Sequence, residues 1–363
     1  MNLDYERVAA RYREFWAVAN EDRPLINMST AKKIILPDAP TAPATLEERW
    51  MDTEYQLKCF RRGLAATEFL AESFPIFNPN LGPDILGAVC GCDLKFGEVT
   101  SWAEPYIEDY ENVPPIKFDE NNKWWKKIVE ITRAALDDAN GDYLVGITDL
   151  HPGADAIVSM RGAEEAALDL YLNPEAFKTR VWEAYEIFCR MTDGLHDIIS
   201  QKQKGCSNWM GILHPDQKWY VTSCDFAYMI SKEHFEEFIV PELLAELDFL
   251  PASVFHLDGI GSLKHLDRLL EMERLGGVQW VYGSGKPTAK HWVEVYQKIQ
   301  KAGKIVEIPC NFDDILPLCE VLDPQGVRFN CGGDCPDKES GEALIKEVER
   351  IYKQKRDVFA MGE

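Results

Sequence analysis

A histidine and an aspartate two positions apart carry the clearest chemical signal in this sequence. His256 and Asp258 lie in segment 255–259 (FHLDG), which is typical of a strand that ends in a sharp glycine turn. Side chains two positions apart on a strand point to the same face of the sheet. The imidazole and the carboxylate are therefore placed to chelate one metal ion. A histidine hydrogen-bonded to an aspartate, without a metal, is the alternative interpretation.

A cysteine at the end of the last predicted strand adds a third donor. Cys331 stands in segment 327–336 (VRFNCGGDCP), directly before two glycines. A thiol there is either a ligand on an open loop or a buried, inert group. With His256 and Asp258 it gives three ligands of mixed type, and three protein ligands with one open position are the pattern of a catalytic zinc site. Such a site can hold a substrate thiol as thiolate or activate water.

Further polar residues stand at predicted strand ends. Glu307 or Cys310, at the end of the penultimate strand, is the candidate for a further metal ligand. The candidate substrate-binding residues are Asp149, Asp225 and Tyr282. The two aspartates have an alternative role as helix caps or loop residues. Three histidines have no partner in the sequence, and we expect them to be structural: His151, His214 and His234.

The elements that position these residues change in rhythm near residue 140. The first part, 1–140, is predicted to be mostly helical, with helices over 4–19, 46–71 and 120–138. From 141 to 363 strands alternate with helices. The predicted strands are 143–148, 209–213, 253–257, 278–282, 304–308 and 327–330, and the predicted helices are 154–172, 174–203, 231–247, 263–272, 289–302, 313–320 and 340–354.

Consecutive strand–helix units predict parallel strands with right-handed crossovers. A closed (β/α)8 TIM-type barrel and an open doubly wound sheet both fit this α/β pattern. We favour a single barrel domain over 1–363 with an N-terminal helical extension, because no glycine-rich phosphate loop follows any strand. The active site of such a barrel lies at the carboxyl ends of the strands, where the candidate residues stand.

The charge balance excludes several partners. The chain has 39 basic and 61 acidic residues and a net charge of −22, which argues against nucleic acid and against an anionic membrane surface. The first residues lack the pattern of a signal peptide, and no apolar run is long enough to cross a membrane. We therefore expect a cytoplasmic protein, in which the ten cysteines do not form a disulfide framework.

Several short segments, in their order and spacing, resemble the uroporphyrinogen decarboxylase superfamily, and more closely its corrinoid-dependent methyltransferase branch than its decarboxylases. These segments are Arg23-Pro24-Leu25, Leu81-Gly82-Pro83, Leu94-Lys95-Phe96, Thr100-Ser101-Trp102, Met160-Arg161-Gly162, Asn173-Pro174-Glu175, Ser223-Cys224-Asp225, 255–259, Tyr282-Gly283-Ser284-Gly285 and Phe329-Asn330-Cys331-Gly332. The resemblance implies a distorted (β/α)8 barrel with zinc at its carboxyl face. His256 and Cys331 match two of that branch's ligands, whereas Asp258 stands where the branch has a cysteine, which makes the set harder.

The resemblance implies a zinc-dependent methyltransferase. It would move a methyl group between a methyl-corrinoid protein and a small acceptor, a thiol or a reduced folate. The cobalamin would belong to that partner protein. Two alternatives stay open. One is a cofactor-free decarboxylase of a carboxylated substrate, although the arginines that pair with a many-fold carboxylated tetrapyrrole are missing after Arg23-Pro24. The other is a barrel that binds a corrinoid protein or a small ligand without turnover.

Overall fold

Strands and helices alternate along the chain in the computed structural model, which describes residues 4–361, with side chains to residue 358. The strands are β1 (Leu25–Ala31), β2 (Thr67–Ala71), β3 (Ile76–Phe77), β4 (Asp93–Phe96), β5 (Ser101–Glu104), β6 (Leu144–Val145), β7 (Trp219–Ser223), β8 (Ala252–Asp258), β9 (Gly277–Val281), β10 (Ile305–Pro309) and β11 (Val327–Gly332). The helices of the N-terminal part are α1 (Tyr5–Trp16), α2 (Leu46–Met51), α3 (Thr53–Ala66), α4 (Ile85–Val89) and α5 (Lys123–Ala139). The later helices are α6 (Gly153–Arg161), α7 (Ala163–Leu172), α8 (Pro174–Ser200), α9 (Lys232–His234), α10 (Val240–Phe249), α11 (Leu266–Leu270), α12 (Val293–Lys301), α13 (Ile315–Val321) and α14 (Lys338–Met361).

The main sheet has seven strands in the order β2-β1-β11-β10-β9-β8-β7. All neighbours in it are parallel except β1 and β2. A separate parallel pair joins β3 to β6, and a hairpin joins β4 to β5. The fold is therefore a mixed α/β fold with a mostly parallel sheet, and its hydrogen bonding does not close into a ring within the described residues. Because six of its strands are parallel, their carboxyl ends meet at one edge.

The prediction of a mostly helical start missed the five strands β1 to β5. Segment 25–31 (LINMSTA) is β1, which lies beside the last strand and alternates in burial from Met28 to Ala31. The predicted helix over 46–71 is wrong at two places. Asp52 separates α2 from α3, and its side chain accepts a hydrogen bond from the Tyr55 N–H as the cap of α3. Residues 67–71 (TEFLA) pair with β1 instead of continuing the helix.

The strand predicted over 209–213 is also wrong. Gly211 has a φ of 69° and turns the chain there, and the strand lies over Trp219–Ser223, where every residue is buried. The strand predicted over 143–148 is shorter, with only Leu144–Val145 assigned to it. The four later strand predictions are confirmed with small shifts of their ends. Those segments have buried apolar runs, which is why their pattern could be recognised.

Glycine and proline break two of the predicted helices. The helix expected over 154–172 divides at Gly162, whose φ of 91° is open to glycine but strained for other residues. In the helix expected over 231–247, Ser231 caps the start as predicted, but a π-turn over Phe235–Ile239 precedes α10. Pro241 lacks an N–H and its ring clashes with the carbonyl four residues before it, which widens the turn.

No helix among the described residues is long and apolar enough to cross a membrane.

Candidate metal centre

Two histidines and three aspartates converge at the carboxyl edge of the sheet. They come from the segment after β6, from the start of α6, from the segment after β7 and from the end of β8. These residues, here called the His–Asp cluster, are His151, Asp155, Asp225, His256 and Asp258. Their ligand atoms form two groups of three in which all atoms lie within 4.8 Å of one another: His151, Asp155 and Asp225 in one, and Asp225, His256 and Asp258 in the other. Asp225 belongs to both groups.

His256 is oriented by the neighbouring strand. It lies opposite Gln279 on β9, and its Nδ1 is 2.5 Å from Oε1 of Gln279. The amide oxygen only accepts hydrogen bonds, so Nδ1 carries the proton in this contact. The lone pair is then on Nε2, which lies 4.0 Å from Oδ1 of Asp225. This is the arrangement in which an outer hydrogen bond fixes the tautomer of a metal-binding histidine.

His151 is held between carboxylates. Its Nε2 lies 3.1 Å from Oδ1 of Asp149, and its Nδ1 lies 3.3 Å from Oγ of Ser223 and 3.8 Å from Oδ2 of Asp155. Burial opposes the charge on the ring, but Asp149 and Asp155 outweigh it and hold the pKa of His151 well above its ordinary value. Without a bound cation, these carboxylates therefore favour the protonated form of the His151 ring.

Asp155 fixes the backbone that carries Asp225. Its two carboxylate oxygens accept hydrogen bonds from the N–H groups of Asp225 and Phe226, both at 2.9 Å. The side chain of Asp225 is half exposed. Its partial burial, followed by the repulsion from Asp155, raises the pKa of Asp225 to about 6. The cluster thus concentrates negative charge at a place that solvent and ligands can reach.

An aromatic ring contacts both histidines, and a partly apolar cavity lies beside the cluster. The ring of Trp209 stacks on His151 with centroids 6.1 Å apart and meets His256 edge-on at 5.2 Å. A cavity of about 310 Å³ opens beside His151, Asp155 and Asp225. The rest of its lining is mainly apolar or small: Pro83, Asp84, Val158, Ser159, Ala163, Phe226 and Met229. The combination of an apolar wall with a few convergent polar groups is typical of a small-molecule site.

The predicted thiol ligands lie outside the two groups. Cys331 ends β11, its Sγ is 3.5 Å from the carbonyl oxygen of Asn27, and no group of three ligand atoms among the described residues includes it. Burial, followed by the neighbouring Cys335, raises the pKa of Cys331 to about 12. Burial also raises the pKa of Cys310 well above its usual value. Both are protonated thiols in the protein without metal.

Glu307 has a structural partner. Its Oε1 lies 2.6 Å from Nη1 of Arg328, and neither side chain is exposed to solvent. The same guanidinium donates to the hydroxyl of Tyr12 and to the carbonyl of Gly211. This hydrogen-bonded network is buried in the protein interior, and within it the Glu307 carboxylate is the ion-pair partner of Arg328.

The predicted substrate residues have separate positions. Asp225 lies in the middle of the His–Asp cluster, and Asp149 contacts it through His151. Tyr282 follows β9 and stacks on Trp292, with centroids 6.4 Å apart.

His151 and Asp155 are the members that the sequence analysis missed. The sequence predicts a structural role for His151, which has no partner in sequence, and it does not single out Asp155. A signal existed, since Asp149 and His151 repeat the two-residue spacing of His256 and Asp258. The segment after β6 is not a regular strand, however, so that spacing did not predict a common face. His214 and His234 are not members of either group.

No protein-family model matches this chain, and no curated protein matches it in sequence. Eighteen chains of solved structures match it in fold. One is a methyltransferase from Methanosarcina mazei, which superposes with a TM-score of 0.60 at 12% sequence identity. The superposition covers 95% of this chain and 99% of that chain. At this identity the likeness shows a shared fold over almost the whole length, and it does not show a shared reaction.

Proposed function

We propose that this protein is a methyltransferase that works at the His–Asp cluster. The observation that carries the proposal is the pairing of His256 with Gln279, which turns a histidine lone pair towards Asp225 at the carboxyl edge of parallel strands. The fold that it shares with a methyltransferase over 95% of the chain supports methyl transfer as the reaction. The cavity beside the cluster has room for a small substrate.

The donors of the cluster fit a zinc ion. His256, Asp258 and Asp225 offer one nitrogen and two oxygens within 4.8 Å of one another, and three protein ligands with an open position suit a catalytic zinc. Zinc bound there would supply a Lewis acid that lowers the pKa of a thiol or water. Cys331 stays a proposed further ligand, which would have to approach from β11. With Asp258 in place of a thiolate the ligand set is harder, which would leave a bound zinc ion more Lewis-acidic.

The protein's own residues fix the geometry of the His–Asp cluster. Gln279 keeps the His256 ring in one tautomer, and Asp155 holds the backbone of Asp225 in place. Trp209 covers one side of both histidines and limits the access of water there. The side chain of Asp225 is half exposed, so the cluster is open on that side. A methyl donor and acceptor would approach from there.

We infer that the strands form a single distorted (β/α)8 barrel. The first strand, β1, is hydrogen-bonded to the last, β11, and β3 pairs with β6. A bridge between Ile147 and Asn208 extends this pair towards β7. These contacts support one ring built on the eight parallel strands, with the antiparallel β2 along the other edge of β1 and the β4–β5 hairpin outside it. In such a barrel the His–Asp cluster lies at the mouth.

The methyl donor that we propose is a methyl-corrinoid protein, and the acceptor is a small thiol or a reduced folate. The cobalamin would be carried by that partner, which would dock at the cluster's open side in the cytoplasm. The decarboxylase alternative has less support. Among the described residues, no lysine or arginine lines the cavity beside the cluster, whereas a carboxylated substrate would need such cations.

Methyl transfer can be tested with free methylcobalamin as donor. Zinc-loaded protein is mixed anaerobically with methylcobalamin and either a panel of small thiols or tetrahydrofolate. Loss of the methylcobalamin spectrum and methylated product by mass spectrometry are followed together. We expect His256→Ala to lower the rate at least ~100-fold, because removing a metal ligand removes the activating ion. The exposed His291 supplies the matched control, His291→Ala, with an unchanged rate.

Absence of methylated product would overturn the proposal. If zinc-loaded wild-type protein yields no methylated product with any acceptor, this protein does not catalyse the proposed reaction. Saturable binding of a corrinoid protein without product would then favour the binding barrel. Equal rates for wild type and His256→Ala would place the reaction away from the cluster.

A further inference from the structure

We propose that the His–Asp cluster is a two-metal centre, with a second divalent transition-metal ion held by His151, Asp155 and Asp225. Asp225 would be shared with the ion at His256 and Asp258, so the inference adds to the metal site of the proposed function. The observation behind it is that the two groups of three ligand atoms have Asp225 in common. A carboxylate has enough lone pairs to serve two cations.

The surroundings of His151 repeat those of His256. Each ring has one nitrogen against an outer oxygen, from Asp149 at 3.1 Å in one case and from Gln279 at 2.5 Å in the other. Each ring has its second nitrogen towards the aspartates of the cluster, at 3.8 Å from Asp155 and 4.0 Å from Asp225. An outer oxygen on one nitrogen and inner carboxylates at the other is the usual setting of a metal-binding histidine.

Asp155 is rigid enough to be a ligand. Its side chain accepts two backbone hydrogen bonds, from Asp225 and Phe226, and each of its oxygens keeps a further lone pair. The same bonds fix the spacing between Asp155 and Asp225. Ligands whose positions are set in this way lose little conformational entropy when an ion binds.

The negative charge of this region favours the binding of cations. Four carboxylates stand together here: Asp149, Asp155, Asp225 and Asp258. Within the described residues the ion pairs of these carboxylates are with His151 and His256, and none joins them to a lysine or an arginine. Four carboxylates that have only these two histidines as ion-pair partners repel one another. Two divalent ions would balance this charge.

The ligand types indicate which ions would bind. Each group offers one imidazole and two carboxylates, a set that suits Zn²⁺, Co²⁺ or Mn²⁺ better than thiolate-preferring ions. In two-metal sites a pair of ions a few ångströms apart binds and orients oxygen or nitrogen groups of a substrate from two sides. The cavity of about 310 Å³ is lined by His151, Asp155 and Asp225, so such a group would enter beside the second ion.

Counting bound cobalt tests the proposal. The full chain is stripped with a chelator, loaded anaerobically with Co²⁺, desalted and analysed for cobalt per chain. We expect about two equivalents for wild type and about one for His151→Ala and for His256→Ala. His291→Ala, at an exposed histidine, should keep about two. Circular dichroism checks that each variant is folded.

A second readout needs no substitution. Two Co²⁺ ions bridged by one carboxylate are magnetically coupled, so the electron paramagnetic resonance signal per cobalt should fall as loading goes from about one to about two equivalents. One equivalent at saturation, lost in His256→Ala and kept in His151→Ala, would overturn the second ion and leave the proposed zinc site standing. No bound cobalt in wild type would overturn both. Two uncoupled ions would overturn the shared Asp225.

Discussion

The Nδ1 atom of His256 lies 2.5 Å from Oε1 of Gln279, its register partner on the neighbouring strand. This contact decides which ring nitrogen faces Asp225. Because the two residues are paired through a regular parallel ladder, the sheet itself sets the orientation of the proposed metal ligand. Four of the five cluster members lie in loops or at element ends, whereas this orienting contact lies within the sheet.

Replacing Gln279 by methionine should weaken metal binding while leaving every proposed ligand in place. Methionine has a similar length but cannot accept the Nδ1 proton, so the His256 ring loses its fixed tautomer. Loss of such an outer partner costs about 10–100-fold in metal affinity, and competition with a chromophoric chelator measures it. Gln297→Met, at an exposed glutamine on α12, is the control. Equal affinities for the two variants would refute the orienting role.

The buried Arg328–Glu307 pair should behave as a structural element and not as part of the site. Arg328→Met leaves the buried carboxylate of Glu307 without its partner, which should cost about 3–5 kcal/mol in the free energy of unfolding. The double variant Glu307→Leu/Arg328→Met should recover part of that loss, since neither charge remains. Urea denaturation measures both. A double variant less stable than Arg328→Met alone would contradict this assignment.

Two buried carboxyl groups one turn apart on α10 should make stability depend on pH. Burial raises the pKa of Glu242 to about 7 and, with the charge of Glu242, the pKa of Glu246 well above its usual value. The folded protein therefore holds protons that the unfolded chain releases above pH 4.5, the ordinary glutamate value. Stability should be complete below that pH and decline as the pH rises through the folded pKa values.

The variant Glu246→Gln removes one of these ionisations. It should raise the free energy of unfolding at pH 8 by at least about 1 kcal/mol, which is less than the equivalent of one pKa unit. At pH 5 it should change little. Urea denaturation at the two pH values, with the exposed Glu186→Gln as control, measures the difference. A larger gain in the free energy of unfolding at pH 5 than at pH 8 would contradict the expected direction of the pH dependence.

Cys331 should be unreactive in the folded, metal-free protein. Its pKa of about 12 leaves almost no thiolate at neutral pH, and the thiolate is the form that alkylating reagents attack. Iodoacetamide at pH 7.5 should label Cys331 only after unfolding in urea, as peptide mass spectrometry would show. The half-buried Cys59 serves as an internal comparison. Rapid labelling of Cys331 in the native protein would indicate an open, activated thiol.

The sequence pattern predicts that His256 and Asp258 lie together, but it does not predict the whole His–Asp cluster. His256 and Asp258 share one strand, so the alternation of side chains was enough to place them together. His151, Asp155 and Asp225 come from three different segments, and their distances depend on loop paths and on the hydrogen bonds of Asp155 to the Asp225 backbone. Such contacts have no periodicity for a pattern to detect.

The later strands of the sheet were predictable for a similar reason, while β1 and β7 were not. Segments such as 305–309 are buried on both faces and have the apolar runs of parallel strands. Segment 25–31 contains Asn27, Ser29 and Thr30, and its place beside β11 depends on long-range pairing. The apolar run at 209–213 misled the prediction because a single glycine turns it.

Anomalous diffraction from crystals grown with zinc tests the central claim most directly, because it locates the metal. We expect a zinc peak bonded to Nε2 of His256 at about 2.0–2.1 Å and to carboxylate oxygens of Asp258 and Asp225 at about 2.0–2.2 Å. Crystals of His256→Ala should lack this peak. Zinc bound elsewhere in the chain, with none at His256 in the wild-type protein, would contradict the proposed metal centre.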